Sequence, residues 1–190
     1  MKGSKGQIFV AGAAMFIVLL ALISTSLSPP PSLPPVLAIA PQLENLAQEY
    51  RYAIGLSARE GSDKLDDLSA YFRDNVQGFD AIYALVSTGP EAYSLTIGNF
   101  LRNTASIRVS AKGSAPSSVS GILEDGERKS WDFSASGDVN VTIRYAVQGI
   151  EYSKSIQFST NTNQTIGWFN IGIRVGKDYV RKSDAWSIAT

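Results

Sequence analysis

The chain has 190 residues, with 17 basic residues balanced by 17 acidic ones and neither cysteine nor histidine. That composition excludes a disulfide framework, thiol chemistry, a Ser-His-Asp or Cys-His catalytic arrangement, and a zinc site built on His or Cys. There is no basic stripe of the kind that attracts nucleic acid, so no nucleic-acid partner is expected.

Lys2 and Lys5 come first, followed by an apolar run from Gln7 to Leu27. No Asp, Glu, Lys or Arg falls between Gly6 and Leu43. As a helix rising ~1.5 Å per residue, the run spans roughly 30 Å, the thickness of a bilayer's hydrocarbon core. The lysines in front place Met1 in the cytoplasm and everything after Leu27 outside. Ala11-Gly12-Ala13-Ala14 offers a small-residue patch for close helix approach, and hence for self-association. Three readings of the run stand open: an uncleaved signal anchor, a secretory signal peptide removed after the apolar region, and a third resting on Lys5-Gly6-Gln7.

That tripeptide, set directly before the apolar run, resembles the class III signal peptides of archaeal type IV pilin-like proteins. The resemblance implies that a prepilin peptidase cuts between Gly6 and Gln7. The apolar helix would then stay attached, as a membrane anchor or as the packed core of a filament. Many members carry Glu at the fifth mature position, where this chain has Ala11. The departure bears on filament assembly more than on processing.

Ser28 to Pro35 is proline-rich, which ends the helix and predicts an extended, semi-rigid spacer. Pro41 then opens a helical pattern with Leu43, Leu46, Tyr50 and Ile54 on one face. Gly61-Ser62-Asp63 interrupts it, and Ser62 or Asp63 is placed to cap a second helix. That helix carries the stripe Leu65, Leu68, Phe72, Val76, Phe79 and Tyr83. The two helices are expected to form a hairpin or to cover one face of a sheet. Glu60, Asp63, Asp66 and Asp67 gather at their junction. They lack the alternating Asp spacing of a calcium loop, so a solvated helix start is the expectation.

From Ala92 the period changes to two. Strands are predicted over 92–100, 106–111, 119–123, 129–135, 139–147, 150–160, 165–175 and 179–188. Asp125-Gly126 and Ser136-Gly137-Asp138 are predicted turns, and Gln148-Gly149 a tight hairpin. Regularly spaced short strands of this kind point to a β-sandwich. Leu123-Glu124-Asp125-Gly126-Glu127, set before an alternating run, is similar to the strand-turn grammar of immunoglobulin-like surface modules. It also resembles the β-rich head domains of archaeal pilin-like proteins, and the resemblance implies architecture only.

Asn140-Val141-Thr142 and Asn163-Gln164-Thr165 match the N-glycosylation acceptor pattern, which makes Asn163 and Asn140 candidate modification sites. Trp131, Trp168, Phe169 and Trp186 are expected in the core, with a sugar- or partner-binding patch as the alternative. Trp168-Phe169 is the exception: neighbours on one strand face opposite ways, so one of the pair is expected to be more exposed or to meet the helices.

The expected fold class is α+β: an N-terminal transmembrane helix, a short helical segment and a C-terminal antiparallel β-sandwich. The expected divisions are a cytoplasmic leader (1–6), a transmembrane helix (7–27), a Pro-rich linker (28–41), a helical segment (42–87) and the β-sandwich (88–190). The expected function is that of a membrane-anchored extracytoplasmic structural protein, a pilin-like subunit or cell-envelope component. The alternatives are an anchored surface binding module and an accessory subunit of an envelope or secretion complex. The expected partners are the membrane, a prepilin peptidase and other copies of the chain. No enzymatic activity, catalytic residue, cofactor or metal is expected.

Overall fold

The structure is a computed structural model, and it describes residues 35–190. The Gly6–Gln7 junction and the apolar run from Gln7 to Leu27 lie outside the described residues. Among the described residues no helix is long and apolar enough to cross a membrane.

Two helices, α1 (Pro35–Glu60) and α2 (Lys64–Asn75), precede eight strands. The strands are β1 (Phe79–Gly89), β2 (Ala92–Phe100), β3 (Ala105–Ala115), β4 (Ser118–Leu123), β5 (Glu127–Val147), β6 (Ile150–Ser159), β7 (Gln164–Val175) and β8 (Asp178–Ala189). All pairings are antiparallel, in the order β4-β3-β5-β2-β1-β7-β8, with β6 also on β5. An antiparallel β-sandwich was the expectation; the strands are antiparallel, and hydrogen bonds join all eight in one sheet.

That sheet folds back on itself. β5 and β7 are three strand spacings apart along the order, roughly 14 Å at ~4.8 Å per strand. Yet Asn170 of β7 donates to the Tyr145 hydroxyl of β5 at 2.7 Å. The fold line runs through Gly137 and Gly113. β5 was expected to turn at Ser136-Gly137-Asp138, but it runs on as one strand of 21 residues. Its first half pairs with β2 and its second half with β6. Gly137 has φ +87 and Gly113, where β3 shifts register, has φ +89, a backbone that costs glycine nothing. Thr160 holds the bend: its N–H donates to Gly137 O at 2.9 Å, and its hydroxyl accepts from Gly137 N at 3.1 Å.

Two apolar clusters follow from this folding. One lies between the layers and joins Ile82, Ala84 and Val86 of β1 with Val139, Val141 and Ile143 of β5 and Trp168 of β7. The other lies under the helices and joins Leu43, Leu46, Tyr50 and Ile54 of α1 with Tyr83, Phe169 and Ile171. The α1 stripe is therefore buried as the sequence predicts. The helix begins earlier than Pro41, however, so the expected linker to residue 41 is helical from Pro35.

The α2 stripe stops at Asn75. Phe79 and Tyr83, read as helical, lie in β1, so the sheet begins before the expected boundary at residue 88. The reason is burial on both faces. Phe79, Ala81, Tyr83 and Leu85 meet the helices while Ile82, Ala84 and Val86 meet the other core. A strand buried on both sides shows no polar alternation and cannot be told from a buried helix by period.

Candidate functional site

The inner face of β1, β7 and β8 is apolar at one end and polar at the other. Register sets Val86 beside Ile166 and Ser187, then Ala84 beside Trp168 and Ala185. Further along come Ile82, Asn170 and Ser183, and finally Asp80, Gly172 and Arg181. Gly172 leaves room for the last group, because a Cβ there would stand 2.6 Å from the Tyr179 hydroxyl and 2.7 Å from Asp80 Oδ1.

Arg181 Nη2 lies 3.1 Å from Asp80 Oδ1. Tyr179 donates its hydroxyl to Asp80 Oδ1 at 2.8 Å and accepts from Arg181 Nε. The guanidinium stacks on Tyr152 and Tyr179, at 5.3 and 5.2 Å from their ring centres. Tyr152 in turn stacks on Tyr145 at 4.9 Å. Asn170 Oδ1 and Arg181 Nη1 are buried without a partner among the described residues.

Burial, with the Asp80 carboxylate beside it, holds the Tyr179 phenol above its usual range. Burial also raises Tyr145. Burial works against the Arg181 charge, but Asp80 and the tyrosines outweigh it and keep the guanidinium protonated. At neutral pH the set is therefore a pair of protonated tyrosines, Tyr145 and Tyr179, around a closed Asp80–Arg181 ion pair. Its groups bind each other, which latches β8 and β1 to the β5–β6 layer.

The acidic cluster has a similar role. Asp63 caps α2 by accepting from Leu65 N at 3.0 Å and Asp66 N at 3.3 Å. The Tyr83 hydroxyl donates to Asp63 Oδ2 at 2.7 Å. Arg128 Nη1 lies 3.5 Å from Asp66. The cap is thus the fastening of α2 to the sheet rather than a solvated start, with the Asp63 side chain only 10% exposed. Among the described residues no group of three or more acidic side chains is placed to hold a metal.

Burial raises the Asp63 carboxyl above 3.8, against the opposing bond from Tyr83. A carboxyl that titrates higher when folded takes up a proton on folding, so this group favours the folded state more in mild acid than at neutral pH. Asp63→Asn keeps a good cap and removes the charge. The variant is expected to have a higher urea midpoint than wild type at neutral pH, with the gap closing as the pH falls toward 3.8. Urea titrations across that range measure it, and a lower midpoint at neutral pH would show the buried charge to be stabilising.

Asn163 is exposed in the β6–β7 loop. Asn140 is half-buried in β5 between Lys112 and Gln157, with its Oδ1 buried and without a partner among the described residues. The aromatics disperse. Trp168 enters the interlayer core, Phe169 lies 4.9 Å from Tyr50 of α1, and Trp186 stays exposed under Arg51. The structure brings none of these aromatics together as one surface patch.

Sequence reasoning passed over Asp80, Lys154 and Arg181. For the last two the available signal was parity: Arg181 falls in the inward series of β8, and Lys154 between the inward-facing Tyr152 and Ile156 of β6. Inward charges on edge strands discourage edge-to-edge pairing. Comparison with known protein families and with curated proteins finds no match to this chain.

Proposed function

We propose that this chain is a membrane-anchored extracytoplasmic structural protein, a pilin-like subunit or cell-envelope component. The full chain is then a cytoplasmic leader, a transmembrane helix over 7–27, a helical segment and an outer β domain whose folded sheet forms a sandwich. The observation that carries the reading is Lys5-Gly6-Gln7 set directly before a run that holds no charge up to Leu27. Cleavage between Gly6 and Gln7 would leave the anchor in place.

The described part suits a rigid head. Residues Ile39–Thr190 form one compact unit, in which Asp80 pairs with Arg181 and Asp63 accepts from Tyr83. A glycan on Asn163, which is exposed, fits an outward-facing domain. The alternative of an anchored surface binding module is favoured by a separate observation, an exposed pair of arginines on the outer face of the sheet. An accessory role in an envelope or secretion complex is a third reading.

The test is the N-terminal sequence and intact mass of protein recovered from its native membrane. A start at Gln7 is the expected result, and filaments seen by electron microscopy would then separate pilin from envelope component. A start at Met1 leaves a plain signal anchor. A start beyond Ser24 means a secreted protein and overturns the reading.

A further inference from the structure

We propose an oxyanion-binding site on the outer face of the β3–β5 pair, held between Arg108 and Arg144. Register sets these two residues directly opposite each other. Directly opposed side chains share one face, with Cβ atoms about 4.5–5.5 Å apart. Both arginines are exposed. Among the described residues neither forms an ion pair, a state they share with Arg59, Arg102 and Arg174, but only these two stand directly opposed.

Like charges set opposite each other across a sheet destabilise it. Among the described residues no carboxylate lies within ion-pairing distance of either arginine, so an anion entering between them relieves their repulsion. The surroundings favour one. The two arginines line a concavity of about 310 Å³ together with the hydroxyl residues Ser106 and Ser120. Ile122, two-thirds exposed, supplies an apolar wall. Glu151 stands in the same lining and is its one carboxylate among the described residues. Planar guanidinium forks match carboxylate, sulfate and phosphate oxygens two at a time, and the serine hydroxyls are free to donate to a third. The space suits a small ligand, at the lower end of ligand pockets of roughly 300–1,000 Å³.

The ligand class is therefore an oxyanion carried on a small body that is part hydroxylated and part apolar. A phosphorylated, sulfated or acidic sugar has that chemistry, and so does an anionic lipid headgroup. The site does not depend on how the N-terminus is processed.

The test uses the full chain in nanodiscs of zwitterionic lipid, titrated with glucose 6-phosphate against sodium chloride of equal ionic strength. The readout is the side-chain Nε–Hε resonances of the arginines. Saturable shifts at Arg108 and Arg144 beyond the chloride control are expected. Arg108→Gln and Arg144→Gln should each weaken binding about tenfold, the equivalent of one charge-assisted contact. Lys177→Gln, on the β7–β8 turn, should leave it unchanged, and Glu151→Gln should tighten it. Each arginine variant should also melt no lower than wild type without ligand, since it relieves repulsion. Repeating the spectra in nanodiscs with anionic lipid identifies the source. Shifts there without added sugar phosphate point to a headgroup, and shifts only on titration to a soluble ligand. No saturable shift with either source overturns the proposal, as does binding that survives in the Arg108→Gln/Arg144→Gln double variant.

Discussion

Trp168→Ala is expected to cost about 3–5 kcal/mol of folding stability, the loss typical of a large aromatic removed from a packed core. Trp168 is 2% exposed and sits where the folded sheet closes on itself. Its ring lies 6.1 Å from Tyr145 of the opposite layer, and its Nε1 donates to Ser183 of β8 at 2.9 Å. Truncation therefore leaves a cavity between the layers and an unpaired hydroxyl at its edge. The neighbours cannot collapse freely, because Tyr145 is tied to Asn170 and stacked on Tyr152. The expected readout is a fall in melting temperature of about 10 °C for a domain of this size. Trp168→Phe keeps most of the volume and should lose less than half as much. A truncation cost below about 1 kcal/mol, the size of an ordinary surface change, would mean the layers are not packed through this residue.

Gly167→Ala is the second large effect, and it acts on the other face of the same strand. A Cβ at Gly167 would stand 2.2 Å from Ile54 Cγ1 and 2.4 Å from Cδ1. Ile54 is fully buried on α1, and the helix is held nearby by Arg51, whose Nε donates to Asp184 of β8 at 3.0 Å. Glu44 is paired with Lys182 and extends that hold toward the N-terminus of the helix. The added methyl must therefore push α1 off the sheet or force Ile54 out of its rotamer. Overpacking of this kind costs about 1–3 kcal/mol. Ile54→Ala alone should cost about 2–5 kcal/mol through the cavity it leaves. The double variant should be more stable than the sum of the two losses by about 1 kcal/mol or more, because each change fills or vacates the same space. Urea unfolding of all four proteins gives that coupling, and strict additivity would show that the helix and strand do not interlock there.

The outcome for the three central features follows from how each is encoded. The α1 stripe was legible because Leu43, Leu46, Tyr50 and Ile54 face one core while the opposite side of the helix stays wet. β2 was legible to the residue, since Tyr93, Leu95 and Ile97 alternate with half-exposed positions between Gly89 and the turn that follows. β1 was not, because both of its faces are buried and its apolar run keeps neither period. The long β5 was divided in two because Ser136-Gly137-Asp138 has turn composition. At that point the strand bends and changes partners rather than reversing, and that depends on β2 and β6.

The same division holds for the sites. Asp63 as a cap could be read from its place before Leu65, but its burial could not, because the Tyr83 hydroxyl that covers it arrives from β1. Arg108 and Arg144 are unremarkable outward positions of two alternating strands until register sets them face to face. By itself the sequence determined the uncharged run from Gln7 to Leu27, the absence of thiol and imidazole chemistry, the amphipathic face of α1, and most of the strands and turns. These are properties of composition and of local period, which need no partner. Only the tertiary structure decided that one sheet folds at Gly113 and Gly137, that Asp80 closes on Arg181, and that two arginines stand opposed. Each of these is a pairing between segments far apart in the chain, and local sequence carries no record of which segment will lie alongside.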